Sequence, residues 1–280
     1  RSYASEIRMP FYGEGLDGLL RARSKQLSGI VNGIDYNVYN PKTDKNIAVN
    51  YSVEDVIKAK AANKTALQKE LGLEENPDAF MLGIVSRLTD QKGLDLVECV
   101  LDQICAEDVQ LVVLGTGEGK YQDMFTYYSR KYPERVSANI FYSEALSHRI
   151  YASCDAFLMP SLFEPCGLSQ LMSLRYGTLP IVRETGGLRD TVTPYNEVDG
   201  TGTGFSFTNY NAHEMLAIIR YAKKTYFNDR KAWNEMVLRA MKQDFSWDAS
   251  AREYEKLYDG LIEEEARRKE AIRLQQAREA

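Results

Sequence analysis

The stretch that decides the fold is PSLFEPCGL, residues 160–168, which is followed by TGGLRD at residues 185–190. An apolar run at 156–159 leads into the first stretch, and residues 168–174 resume apolar side chains at helical spacing. This pattern predicts a buried strand, a loop and a helix. In open parallel sheets, ligands bind beyond the carboxyl ends of the strands. Glu164 is therefore predicted to lie where such a sheet carries its chemistry, although a solvated loop carboxylate has the same local pattern.

Two other predicted strands end in residues suited to an anionic ligand. The apolar run 80–85 leads into a loop that contains Arg87 and Lys92. The run 179–182 leads into a Thr-Gly-Gly turn at 185–187, whose backbone N–H groups can approach a phosphate closely because glycine has no side chain. Three strand ends thus carry two cations, a carboxylate and a glycine-rich turn.

Several segments resemble one known family and follow the same order along the chain. The matching segments are SRLTDQKG at 86–93, YSEA at 142–145, residues 160–170, YGTLP at 176–180, TGGL at 185–188 and FSW at 245–247. Together they resemble the C-terminal half of a bacterial glycogen synthase or a plant-type starch synthase. The resemblance implies a retaining glucosyltransferase of the GT-B fold, which transfers glucose from ADP-glucose to the non-reducing end of an α-1,4-glucan.

The same resemblance implies roles for individual residues. Its nucleotide-binding group comprises Arg87, Lys92, Tyr142, Leu168 and Thr185, and its sugar-binding group comprises Asn32, Glu164, Cys166, Gly167, Gly186 and Gly187. Arg87, Lys92 and Glu164 are the predicted catalytic residues. The two cations would hold the diphosphate and stabilise the departing ADP, and the carboxylate would stabilise positive charge on the sugar or bind its hydroxyl groups.

Two positions leave alternatives open. Tyr142 follows a predicted strand and can stack on a nucleotide base, but a tyrosine there can equally pack into the core. Many GT-B enzymes carry a second glutamate eight positions after the first, for the ribose, and this chain has Met172 there. That departure matches the starch and glycogen synthase branch. No residue taken alone separates ADP from UDP.

The composition restricts the class of protein. With 280 residues, of which 44% are hydrophobic and 27% charged, the chain can bury a full core. A net charge of −5 argues against nucleic-acid and membrane partners, and no apolar run reaches the length of a membrane span. His148 and His213 are far apart and the cysteines form no CxxC pair, so no metal site is expected. The resemblance implies ADP-glucose as the substrate and no cofactor. His148 is predicted to be a structural hydrogen-bonding residue.

The cysteines indicate whether the cellular compartment is reducing or oxidising. Cys99, Cys105 and Cys154 are predicted to be buried, reduced thiols, and Cys166 to line the sugar pocket. Reduced thiols favour the cytoplasm, or the plastid stroma for a plant-type source.

The alternation along the chain predicts a Rossmann-like, doubly wound α/β fold with a parallel sheet. Predicted strands are 80–85, 109–114, 136–141, 155–159, 179–183 and 203–207. Predicted helices are 56–71, 93–104, 118–131, 144–152, 167–176, 211–226, 230–242 and 247–262.

Three parts of the chain are predicted. Residues 1–30, too rich in glycine for a stable helix, resemble the end of the family's N-terminal domain and the interdomain crossing, with a short strand at 29–35. Residues 31–262 form the nucleotide-sugar domain, and residues 263–280 form a charged helical tail. The chain begins without methionine, and the resemblance implies a missing N-terminal GT-B domain, so the fragment alone is expected to be inactive.

Two other functions compete with the transferase. A stand-alone nucleotide-binding or glucan-binding module would need no turnover. A pyridoxal-dependent phosphorylase shares the fold, but no convincing cofactor lysine is evident in the sequence.

Overall fold

A six-stranded parallel sheet forms the centre of the computed structural model, which describes residues 1–279. Its strands are β1 (Phe80–Val85), β2 (Val109–Leu114), β3 (Val136–Asn139), β4 (Ala156–Met159), β5 (Leu179–Arg183) and β6 (Phe205–Phe207). They lie in the order β3-β2-β1-β4-β5-β6, and every pairing is parallel. The chain therefore runs outward in opposite directions from the central pair β1 and β4. This is the predicted doubly wound, Rossmann-like fold.

Helices cover both faces of the sheet and continue beyond it. They are α1 (Ser2–Glu6), α2 (Asp17–Ala22), α3 (Val56–Leu71), α4 (Leu94–Ala106), α5 (Gly119–Lys131), α6 (Glu144–Ser153), α7 (Ser169–Arg175), α8 (Gly186–Thr191), α9 (Ala212–Asn228), α10 (Arg230–Met241) and α11 (Trp247–Glu279). Short 3-10 helices occupy Ser24–Gln26 and Asp90–Lys92. None of the helices within residues 1–279 is long and apolar enough to cross a membrane.

The core forms because the central strands consist mostly of buried apolar residues. All six residues of β2 are buried, as are all four of β4, which is the pattern of a sheet covered on both faces. Gly83, in β1, lets α6 pack closely, because a Cβ atom there would lie 2.9 Å from the Ile150 side chain and 3.0 Å from Cys154 Sγ. The central strands are thereby held against α6, whose N-terminus follows the β3 loop.

Several predicted boundaries differ from the structure. The strand expected at 136–141 ends at Asn139, and the one expected at 203–207 begins at Phe205. No strand forms at 29–35, where Ile34 makes only an isolated bridge to Ser246. A single bridge is too little to form a strand. This segment therefore remains irregular and lies beside Ser246, which directly precedes α11.

The first 30 residues were misjudged, whereas the helical tail was predicted correctly over the described residues. Residues 1–30 contain α1 and α2, although no residue of either helix is buried. The glycine content of this region argued against any helix, but contact with α8 stabilises α1. At the other end, the predicted helix and the charged tail form one continuous helix, α11. Ion pairs such as Glu263 to Arg267, at 3.6 Å, lie along it. Residue 280 lies outside the described residues.

The predicted burial of Cys99 is wrong. It lies on the exposed face of α4, whereas Cys105 and Cys154 are buried. Burial raises the pKa of Cys105 to about 11 and that of Cys154 to about 12, so both are neutral thiols at physiological pH.

Candidate functional site

The loops that follow β1 and β4 bring Lys92 and Glu164 together. Lys92 Nζ lies 2.6 Å from Glu164 Oε2, and the two side chains are only 16% and 8% exposed. The Ser161 hydroxyl donates to the same carboxylate oxygen at 3.2 Å. Because β1 and β4 are neighbours where the strand order reverses, this pair lies in the crevice where doubly wound folds bind ligands. A cation and a carboxylate expected to act separately are therefore direct partners.

The glycines of the third loop pack against the Glu164 loop. Gly186 has a φ of +46°, and a Cβ atom there would lie 1.9 Å from the Glu164 carbonyl oxygen. A Cβ atom on Gly187 would lie 2.0 Å from the Cys166 carbonyl oxygen, and the Gly187 N–H donates to the Glu164 carbonyl at 2.9 Å. Residues without side chains are thus needed for close packing, whatever they bind.

Glu6, which was not predicted as a site residue, contacts the same turn. Its carboxylate accepts hydrogen bonds from the Gly186 N–H at 2.7 Å and from the Thr185 hydroxyl at 3.1 Å. Both donors belong to the predicted nucleotide- and sugar-binding groups. Residues 1–6 are therefore fastened to the edge of the site, and no local pattern in the sequence marks Glu6 for this contact.

Asn32 and Cys166, both predicted to bind sugar, lie together beside the Glu164 loop. The Asn32 backbone N–H donates to the Cys166 sulfur, while burial raises the pKa of the thiol. Gly167 has a φ of +69°, and Gln170 Nε2 donates to the carbonyl oxygens of Cys166 and Gly167 at 3.0 Å each. The thiol is therefore a neutral group on a fixed loop, which argues against a nucleophilic role.

A cavity of about 350 Å³ opens beyond the ends of β1, β2 and β3. Its lining includes Tyr39, Arg87, Phe141, Tyr142, Leu168 and Met172. Tyr142 is 85% exposed, which excludes the core-packing alternative and leaves its ring free to stack. Arg87 forms no ion pair within residues 1–279, and its guanidinium donates to Gln91 Oε1 at 3.4 Å. An aromatic face and an uncompensated cation therefore lie in one cavity.

One wall of this cavity rests on a buried polar cluster. Tyr39 stacks on His148 with ring centroids 4.8 Å apart, and His148 Nδ1 lies 2.6 Å from Asp44 Oδ2. Tyr176 also donates to Asp44, at 2.5 Å. Burial raises the pKa of Asp44, but the hydrogen bonds from Tyr176, the Asn46 N–H and His148 lower it overall. His148 is thus a structural hydrogen-bonding residue, as predicted.

A larger cavity, about 420 Å³, lies between the first 30 residues and α11. None of the predicted site residues lies in its lining. No group of three or more metal-binding side chains occurs within residues 1–279. The crevice with Lys92, Glu164 and the Tyr142 cavity is therefore the candidate active site.

Comparison with known proteins assigns the class. The family model for group 1 glycosyl transferases matches residues 64–237, which include Arg87, Lys92, Tyr142 and Glu164. The chain belongs to the group 1 glycosyltransferase family.

Its similar relatives are glycogen synthases. The chain is 70% identical to one from Lachnospira eligens and 64% identical to one from Lachnoclostridium phytofermentans; each match covers 93% of this chain and 54% of the relative. The chain therefore spans about half the length of the curated relatives it matches.

Solved structures agree with this assignment. The catalytic domain of starch synthase IV from Arabidopsis thaliana, bound to ADP and acarbose, is 36% identical, with a TM-score of 0.86 over 92% of this chain and 54% of that chain. Anabaena HepE, bound to UDP and glucose, is 20% identical with a TM-score of 0.62 over 89% of this chain and 61% of that chain, and shares the fold.

Proposed function

We propose that this chain forms the donor-binding half of a retaining glucosyltransferase, which moves glucose from ADP-glucose to the non-reducing end of an α-1,4-glucan. The Lys92 to Glu164 contact at the strand-order reversal carries this proposal, because it sets a cation and a carboxylate side by side. The glycogen synthase relatives and the ADP-bound starch synthase support the choice of donor. No cofactor is proposed, since the reaction needs only the nucleotide sugar.

Each residue of the site has a part in this reaction. Tyr142 stacks on the adenine, while Arg87 and Lys92 hold the diphosphate and neutralise the charge that develops on the departing ADP. Glu164 lies near the transferred glucose, where it stabilises positive charge at the anomeric carbon or binds sugar hydroxyl groups. The two loops that carry Cys166, Gly167, Gly186 and Gly187 pack together beside that carboxylate and form the wall of the sugar site. Lys92 links the two parts, since one ammonium contacts both the carboxylate and the diphosphate.

The acceptor and a second domain complete the proposal. In a GT-B enzyme the reaction occurs in a cleft between two domains, so this half is inactive alone and needs an N-terminal partner domain. Large apolar side chains are exposed on the first 30 residues and on α11, including Phe11 at 68% and Ile262 at 68%. The acarbose in the starch synthase structure supports a glucan acceptor. We propose a cytoplasmic location, which the four free thiols support because a reducing compartment keeps cysteines unpaired.

A non-catalytic nucleotide- or glucan-binding module is the second candidate. The exposed Tyr142 ring and the unpaired Arg87 fit a binding module as well as a transferase. The glucosyl-transfer rate of a full-length protein that contains this chain distinguishes the two candidates. Glu164→Ala lowers this rate in a transferase, whereas a binding module has no such rate.

The direct test is calorimetric titration of the chain with ADP, with UDP as the comparison. We expect ADP to bind more tightly than UDP, and Arg87→Ala to weaken ADP binding at least tenfold. Arg130→Ala, which removes an exposed arginine of α5, is the matched control and should leave the affinity unchanged. Equal affinity for ADP and UDP, or an Arg87→Ala variant that binds as wild type, would contradict the proposed donor site.

A further inference from the structure

The four consecutive carbonyl groups of the Glu164 loop are all held by hydrogen bonds from other elements. Arg183 Nε donates to the Ser161 carbonyl at 2.8 Å, and the Arg183 guanidinium also donates to the Leu162 carbonyl. Gln91 Nε2 donates to the Phe163 carbonyl at 3.3 Å, and the Gly187 N–H donates to the Glu164 carbonyl at 2.9 Å. Two of the four contacts therefore come from one side chain.

Arg183 is an unusual residue for this place. It is the last residue of β5, it is only 7% exposed, and it forms no ion pair within residues 1–279. The Tyr210 ring lies 5.8 Å from its guanidinium carbon. Burial of a cation without a carboxylate partner costs desolvation free energy, so the hydrogen bonds of the guanidinium must replace those it made to water. Those bonds go to the loop that carries Glu164.

The shape of the guanidinium matters as well as its charge. Its N–H groups point in fixed directions in one plane, so a single arginine can hold two successive carbonyl oxygens at once. A lysine ammonium is a single charged centre on a flexible stem and cannot reproduce this fork. Because Glu164 follows these carbonyls by two or three residues, a shift at Ser161 and Leu162 moves the carboxylate. A displacement of about 1 Å can lower an enzymatic rate about 10²-fold.

We propose that Arg183 is a positioning residue for glucosyl transfer, and that its buried guanidinium sets the Glu164 carboxylate against the transferred sugar through the Ser161 and Leu162 carbonyls. This inference rests on the proposed function. Arg183 acts through the loop and does not itself touch the nucleotide sugar. Its removal should therefore affect the chemical step and spare nucleotide binding, which uses Arg87 and Tyr142.

The experiment compares Arg183→Lys with wild type in a full-length protein that contains this chain. It measures kcat and KM for ADP-glucose, the Kd for ADP, and the melting temperature. Arg239→Lys is the matched control, because Arg239 also donates to a backbone carbonyl, that of Gly202 at 2.9 Å, without an ion pair in the described part of the chain. Gly202 lies in the turn before β6, outside the candidate site.

We expect Arg183→Lys to lower kcat about 10- to 100-fold, with KM and the ADP Kd within twofold of wild type. Arg239→Lys should leave all three within twofold. If the Arg183→Lys variant folds and keeps the kcat of wild type, the inference is overturned. Glucosyl transfer by the wild-type protein in the same experiment still upholds the proposed function. Equal losses of kcat and ADP affinity, with a lowered melting temperature, assign Arg183 a purely structural role and also overturn it. A wild-type protein without glucosyl transfer overturns the proposed function, and the role of Arg183 with it.

Discussion

The ammonium of Lys64 lies 2.7 Å from Asp155 Oδ2, and both side chains are buried, at 2% and 8% exposure. Asp155 directly precedes β4, so this ion pair lies at the amino ends of the strands, opposite to the Lys92 and Glu164 pair. Asp155 also accepts from the Met81 N–H at 2.8 Å, and Lys64 donates to the Ala79 carbonyl at 2.8 Å. The pair joins α3 to the two central strands.

Lys64→Met is expected to reduce the free energy of unfolding by about 3–5 kcal/mol, because it leaves the buried Asp155 carboxylate without its cation. Urea denaturation at pH 7 measures this loss. Lys58→Met, on the exposed face of the same helix, is the control and should change stability by less than about 0.5 kcal/mol. A loss below about 1 kcal/mol in Lys64→Met would mean that the Met81 N–H and nearby groups suffice for Asp155.

Lys60 should make stability depend on pH. Its ammonium donates to the Thr178 hydroxyl oxygen at 2.7 Å and to the Ala152 carbonyl at 3.2 Å, yet burial lowers its pKa from the ordinary 10.5 to about 7. Between pH 7 and 10.5 the unfolded chain binds the proton more tightly than the folded chain. The contribution of Lys60 to stability therefore rises with pH in that window and is lowest below pH 7.

Denaturation of wild type and Lys60→Met at pH 7, 8 and 9 tests this sign. The stability of wild type relative to the variant should increase by up to about 1.4 kcal/mol for each pH unit. Other titrating groups cancel in the difference. A difference that stays constant from pH 7 to 9 would show that Lys60 keeps its proton across the range.

Glu164→Gln should lower kcat of a full-length protein at least about 10²-fold, because it removes the negative charge near the transferred sugar while preserving the shape of the side chain. ADP affinity should change little, since Arg87 and Tyr142 remain. Glu107→Gln, which disrupts a surface ion pair with Arg220, is the control and should retain full activity. Retention of more than half of the wild-type kcat in Glu164→Gln would exclude a catalytic role for this carboxylate.

Tyr142→Ala should weaken ADP binding about tenfold, because loss of a base-stacking ring costs about 1–3 kcal/mol. Tyr142→Phe keeps the ring and should bind within about threefold of wild type. The melting temperature should not change, since the side chain is 85% exposed. Tyr127→Ala, which removes an exposed tyrosine of α5, serves as the control in the same titration. Equal ADP affinity in wild type and Tyr142→Ala would place the base elsewhere.

Strong local patterns made the central sheet predictable. The run at Phe80–Val85 is apolar, and the run at Val109–Leu114 is apolar except for Gln110. Both end at polar loops, so their bounds were predicted to the residue. Helix α8 was missed because two glycines open it and its six residues contain little local preference for a helix. It is stabilised by packing against the Glu164 loop and α1, which no window of sequence reveals.

In the candidate site, too, local sequence patterns marked some residues, while others depend on contacts between distant parts of the chain. Arg87, Lys92, Tyr142 and Glu164 were predicted as site residues from strand-end position and from family resemblance, because residue type and order suffice to mark them as candidates. Glu6 and Arg183 were missed. Glu6 contacts Gly186, 180 positions away in the chain, and Arg183 contacts Ser161, 22 positions away. Contacts across such separations leave no local signal.

The sequence by itself determined the alternation of strands and helices, the family and the residue types at the strand ends, because these depend on short-range periodicity and on motif order. Only the tertiary structure decided which strand ends meet. Placing β1 beside β4 brings Lys92 within 2.6 Å of Glu164. The physical reason is that strand order follows from burying the sheet and its helices together, so the pairing of distant side chains is a property of the packed whole.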